Sequence, residues 1–120
     1  MEIFEAPADG AVIVHVAGQV NSSNAPQLGQ RLASLVERDV RAIVVDLSRL
    51  VHMTSAGFRS LLLADKRAGD AGGALVICGL QGFTLELFEI GGFLDMFAVA
   101  ESRDDALRQA IACKQETNVQ

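Results

Sequence analysis

The sequence predicts an α/β domain with a mixed, mostly parallel central sheet of about five strands and four helices. Three observations predict it. Short β-branched or continuous apolar runs recur, such as Ile43-Val44-Val45 and Ala74-Leu75-Val76-Ile77-Cys78. Between them lie stretches whose apolar residues fall at helical spacing. Glycine-rich or capping residues punctuate nearly every junction. The order that emerges is β-β-α-β-α-β-α-β-α, and such alternation implies right-handed crossovers between parallel strands.

Ile3 to Glu5 reads as a short edge strand, followed by a turn at Pro7-Ala8-Asp9-Gly10. Ala11 to Ala17 alternates, with Val12, Val14 and Val16 on one face and Ile13, His15 and Ala17 on the other, which marks a strand hairpinned to the first. Gly18 to Asn24 is a polar loop rich in capping side chains, and Pro26 suits the first turn of a helix. That helix, about Ala25 to Arg38, aligns Leu28, Leu32, Leu35 and Val36. Ile43 to Ser48 is a buried strand closing on Asp46-Leu47-Ser48. A loop then leads to Thr54-Ser55-Ala56-Gly57, after which Phe58, Leu61, Leu62 and Asp65 take helical spacing. Ala68 to Gly73 stops this helix. Ala74 to Cys78 is another buried strand. Phe83, Leu87 and Ile90 form the stripe of a short helix, off which Phe88 falls, so that Phe88 is a candidate exposed contact. Met96 to Ala100 makes a last strand. Ser102 caps a final helix whose inner face is Ala106, Leu107, Ala110 and Ile111. Residues 1–114 are read as one domain and 115–120 as a frayed polar tail.

At 120 residues the chain is long enough to bury about two-thirds of its unfolded surface. The net charge of −5, with no basic cluster, argues against nucleic acid or an anionic membrane as partner. No apolar run reaches the length of a membrane span, and the N-terminal MEIFEAPADG carries no positive leader. Cys78 and Cys113 show no metal or disulfide spacing, and neither His15 nor His52 has an acidic or thiol cluster beside it in sequence. No metal or cofactor is expected. The pattern suits a reduced, cytoplasmic protein.

Motifs for catalysis are missing: no GxxxxGK(S/T), GxGxxG, HExxH or GxSxG occurs, so the chain is not read as an enzyme. His15 could approach Ser55 from afar, but nothing in the sequence requires it. Ser55 stands out by its setting. A serine at a helix start meets the unpaired N–H groups and the positive end of the helix dipole. A phosphate there gains up to about 2 kcal/mol, and Gly57 leaves room for a kinase to approach. The simpler alternative is that Thr54 or Ser55 only caps the helix, contributing about 1 kcal/mol.

The run Asp46-Leu47-Ser48, a loop, and then Ser55-x-Gly57-Phe58-x-x-Leu61-Leu62 resembles the signature of STAS domains, and within them the bacterial anti-sigma factor antagonists. The likeness extends upstream to Gly18-Gln19-Val20-Asn21 and Pro26. Downstream it includes Gly73-Ala74-Leu75 and the Ile90 to Phe97 segment, so it spans nearly the whole chain.

The resemblance implies a switch without catalysis of its own. Such proteins bind an anti-sigma factor serine kinase of GHKL (histidine-kinase-like) ATPase fold and so free a sigma factor. The kinase phosphorylates the serine at the start of the second helix, here Ser55, which ends binding, and a metal-dependent serine phosphatase resets it. The expected binding face comprises Asn21, Ser22, Ser23, Thr54, Ser55, Ala56, Gly57, Arg59, Ser60 and Leu63, with Lys66 nearby. Asp46 and Ser48 support the loop. The protein is expected to be a monomer or weak dimer. Two departures stand out: Thr54 replaces the usual Asp before the acceptor, and Asn21 replaces an Asp. Thr54 could itself be a second acceptor. The competing reading is a constitutive STAS interaction subunit of a transporter ATPase or a stress-signalling assembly.

Overall fold

The computed structural model describes residues 1–8 and 10–119, with side chains through Ala112. Its elements are β1 (Glu2–Ala8), β2 (Ala11–Val20), α1 (Ala25–Glu37), β3 (Ala42–Met53), α2 (Ser55–Asp70), β4 (Ala74–Cys78), α3 (Gly82–Ile90), a 3-10 turn (Phe93–Asp95), β5 (Ala98–Val99) and α4 (Arg103–Val119). The five strands lie in the order β1-β2-β3-β4-β5. β1 runs antiparallel to β2, and the other neighbours are parallel. The predicted α/β class and element order are those observed. The predicted frayed tail and Cys113 fall on residues whose side chains lie outside the described set.

Alternation along the strands divides the core between two faces. Val14 and Val16 of β2, with Ile43, Val45 and Leu47 of β3, pack under α1, α2 and α3. Ala11, Ile13, Val44, Val76 and Cys78 point the other way and meet Ala106 and Ala110 of α4. His15 and Asp46 continue this second series. Ser102 Oγ accepts from the Asp105 N–H at 3.1 Å, starting α4 as its sequence suggests.

Several boundaries differ from the sequence reading. β1 continues through Pro7 to Ala8, which an edge strand tolerates because one side of its ladder is unpaired. β2 extends through Gly18 to Val20, and β3 passes Ser48 to reach Met53. The polar Ser48 and Arg49 look like a loop only because the register shifts there. His15 pairs with Asp46 but Ala17 pairs with Arg49, so β3 bulges by one residue, and a second bulge follows before His52. β5 is only two residues long.

The largest correction concerns α3. Thr84 and Phe88 are its buried residues, while Phe83 is 59% and Ile90 85% exposed. Phe88 sits edge-on to Phe58 at 4.9 Å between ring centroids and lies 6.1 Å from both Phe93 and Phe97. A nine-residue helix with apolar side chains all round has no single stripe. The aromatic cluster, not the i, i+4, i+7 pattern, sets its phase. Phe88→Ala should therefore lose about 3–5 kcal/mol of stability in chemical denaturation, whereas Ile90→Ala should stay within about 0.5 kcal/mol of wild type.

Candidate functional site

The site grows from the ends of β2 and β3. Gln19 pairs with His52 and Val20 with Met53, and the Thr54 N–H then donates to the Val20 carbonyl at 2.9 Å. One residue separates strand from helix. Thr54 is extended (φ −86°, ψ 174°), and its carbonyl accepts from the N–H groups of Gly57 at 2.9 Å and Phe58 at 3.2 Å. The ladder thus fixes where α2 begins.

Neither hydroxyl caps the helix as expected. Thr54 holds the N-cap position without a side-chain cap bond, and its Oγ1 is buried with no hydrogen-bond partner. Ser55 is the first helical residue and is exposed. It therefore sits at the solvent-facing start of α2, where the first-turn N–H groups of a helix lack intrahelical partners. Gly57 does not clear space for an approaching partner. It is buried, and a Cβ there would lie 2.5 Å from Met53 Cγ and 2.8 Å from Val20 Cγ1. The glycine lets the first turn of α2 rest directly on the strand ends.

The loop from β2 to α1 lies alongside. Asn21 Oδ1 accepts from the Ser23 N–H (3.0 Å), the Ser23 hydroxyl (2.6 Å) and the Asn24 N–H (3.2 Å). Asn24 Oδ1 in turn accepts from the Asn21 N–H at 2.8 Å. Asn21 is spent on shaping the loop, and a neutral amide oxygen suffices for that task. Ser22 and Ser23 are exposed.

On α2, Ser55, Arg59, Leu63 and Lys66 form an exposed stripe at helical spacing, Leu63 being 50% exposed. Ala56 is half-buried. Ser60 is tied inward, its hydroxyl donating to the Ala25 carbonyl at 3.1 Å. Sequence reasoning missed a neighbouring apolar patch. Val51 is 62% exposed, and the His52 ring stacks on Phe83 at 6.4 Å and 19°. Only a strand reading past Ser48 and the correct phase of α3 would have located it.

Asp46 and Ser48 brace the bulge in β3 rather than a loop. Asp46 Oδ1 accepts from the Ser48 N–H at 2.9 Å, and the Ser48 carbonyl accepts from Gln81 Nε2 at 3.3 Å. Gly79, at φ +80°, is required here, because a Cβ would lie 2.6 Å from Asp46 Oδ1. The sequence placed no carboxylate beside His15, yet His15 Nδ1 lies 3.1 Å from Asp46 Oδ2. Pairing across β2 and β3 brings them together and commits His15 to Asp46 instead of Ser55. Cys78 is buried, and burial, then the charge of Asp46, push its thiol up to about 11 against the pull of Arg103. It is chemically quiet. Among the described residues no group of three or more His, Cys, Asp or Glu could hold a metal, and no helix is long and apolar enough to cross a membrane.

Comparison with known proteins gives a consistent picture. The STAS domain family model matches residues 6–106. BtrV of Bordetella bronchiseptica, assigned as an anti-sigma factor antagonist, is 46% identical over 98 residues, covering 82% of this chain and 84% of its own. A crystal structure of an anti-sigma factor antagonist from Mycobacterium paratuberculosis superposes with a TM-score of 0.81 at 24% identity, covering 91% of this chain and 92% of its own. The Bacillus cell fate determinant SpoIIAA in its phosphorylated form shares the fold with a TM-score of 0.68 at 14% identity, covering 90% and 98%.

Two substitutions test the junction. Gly57→Ala should destabilise by about 1–3 kcal/mol through overlap with Met53, despite a helix-propensity gain of about 1 kcal/mol. Thr54→Val, which removes the unpartnered hydroxyl, should leave stability unchanged or raise it by about 1 kcal/mol. Urea denaturation reads both.

Proposed function

The chain belongs to the STAS domain family, and from that premise we propose that it is an anti-sigma factor antagonist switched by phosphorylation of Ser55. The observation that carries this reading is the exposed Ser55 at the first position of α2. It is supported by the 46% identity to BtrV, and a structure of the same fold, SpoIIAA, is known in a phosphorylated form. The partner is an anti-sigma factor serine kinase of GHKL ATPase fold, and its capture by this protein releases a sigma factor. This role is cytoplasmic and needs no more than a monomer.

The chemistry asks little of the chain itself. The Ser55 oxygen attacks the γ-phosphorus of ATP held by the kinase, ADP leaves, and the serine proton passes to a base on the kinase. The free N–H groups of α2 and its dipole then hold the phosphate with up to about 2 kcal/mol. Arg59, four residues on, stands one turn away on the same stripe and supplies a cation to it. Thr54 is not a second acceptor in this reading, because its hydroxyl is buried. The partner surface runs from the Ser22-Ser23 loop over Ser55 to Arg59 and Leu63. Adding about −1.5 to −2 charges inside that contact opposes binding, and a serine phosphatase reverses the step.

Incubation with the cognate kinase and ATP should add one phosphate to the wild type and to Thr54→Val, and none to Ser55→Ala, by intact-mass spectrometry. Ser55→Asp should weaken kinase binding by about a hundredfold or more, equivalent to about 3 kcal/mol. Undiminished binding by Ser55→Asp would instead favour a constitutive interaction subunit, the role suggested by Thr54 and Asn21 standing where acidic residues are usual.

A further inference from the structure

The face of the sheet opposite α2 is only partly covered. Ala106 and Ala110 of α4 pack over Ile13, Val44, Val76 and Cys78, and the strand residues just beyond them stay open. There Phe4, His15, Asp46, Ser48, Arg49 and Arg103 line a groove of about 490 Å³. Four elements, β1, β2, β3 and the start of α4, converge on it.

Its polar groups are arranged rather than scattered. Asp46 is 5% exposed, with Oδ1 held by the Ser48 N–H. Oδ2 lies 3.1 Å from His15 Nδ1 and 3.8 Å from Arg103 Nε. The single carboxylate of the lining is therefore committed to protein groups. Arg49 has no ion-pair partner among the described residues. The bulge that shifts pairing from His15–Asp46 to Ala17–Arg49 sets its position on the groove wall. Two arginines against one committed carboxylate make the wall cationic, on a chain of net charge −5. Phe4, which is 54% exposed, adds an apolar ring and pairs across the strands with His15.

We propose that this groove binds a small organic anion. Arg49 and Arg103 meet its phosphate or carboxylate group, and Phe4 covers its apolar or aromatic body. A concave site of this volume suits a small molecule. It lies across the sheet from α2 and does not depend on the role of Ser55.

NMR titration of the isotope-labelled full chain with phenyl phosphate, benzoate and neutral phenol tests this. At least one of the two anions should give saturable amide shifts at Phe4, His15, Arg49 and Arg103, phenol should not, and the relative affinities separate phosphate from carboxylate. The Arg49→Gln/Arg103→Gln pair should weaken binding by about tenfold or more. Arg49→Gln alone, which breaks no ion pair, should weaken it in the same direction and preserves the test if the pair disturbs folding. No saturable shift from either anion, equal shifts from phenol, shifts centred on α2, or unchanged affinity in these variants would overturn the proposal.

Discussion

The pairing of β2 with β3 through to Val20 and Met53 is the constraint on which the rest of the molecule depends. β3 is flanked on both sides, by β2 and β4, and buries every residue from Ala42 to Leu47. A strand so enclosed cannot slide, since a one-residue slip would exchange its two apolar faces. Because it runs unbroken to Met53, the start of α2 is fixed by main-chain bonds, with the Thr54 N–H on the Val20 carbonyl. Ser55 is consequently positioned by main-chain bonds at the end of the β2–β3 ladder, and Gly57 brings the helix down onto it.

The fold class, the order of elements and the two faces of β2 were legible because burial on both sides of a parallel sheet leaves continuous or strictly alternating apolar runs. Ser55 was legible as a helix start for a similar local reason. What escaped the sequence depends on contacts between distant residues. The bulges that carry β3 past Ser48 arise from register against β2. The phase of α3 is set by Phe58, Phe93 and Phe97 closing on Phe88. The inward turn of the Thr54 hydroxyl has no sequence signal, since Thr at an N-cap is ordinarily bonded to the helix. The pairing of His15 with Asp46 was hidden because the two lie on different strands, far apart in the chain.

The two sides of the sheet divide the labour. One side carries α1, α2 and α3 and the larger core. The other carries α4 alone, over a smaller cluster built largely of Ala, Ile, Val and Cys. Alanine at 106 and 110 lets α4 sit close to the strands. The same strands then emerge past its N-terminus with their polar residues uncovered. Asp46 lies at that boundary. Its carboxylate ends the apolar series Ala42, Val44 and begins the polar one, and Ser48, His15 and Arg103 together satisfy it. A buried carboxylate is tolerated only with such partners.

A switch placed at a strand-to-helix junction can act without refolding the domain. The Ser55 side chain contributes little to the core, so charging it need not disturb Met53 or Phe58 beneath. On the proposed reading, a phosphate there in the free protein would meet unpaired N–H groups at the start of α2, which stabilise it. Inside a close-packed complex, water that would screen the same charge is excluded, and the charge becomes unfavourable unless the partner supplies cations. The sign of the effect is thus opposite in the free and bound states. A modification that is mildly stabilising to the protein alone can therefore be strongly dissociating for its complex.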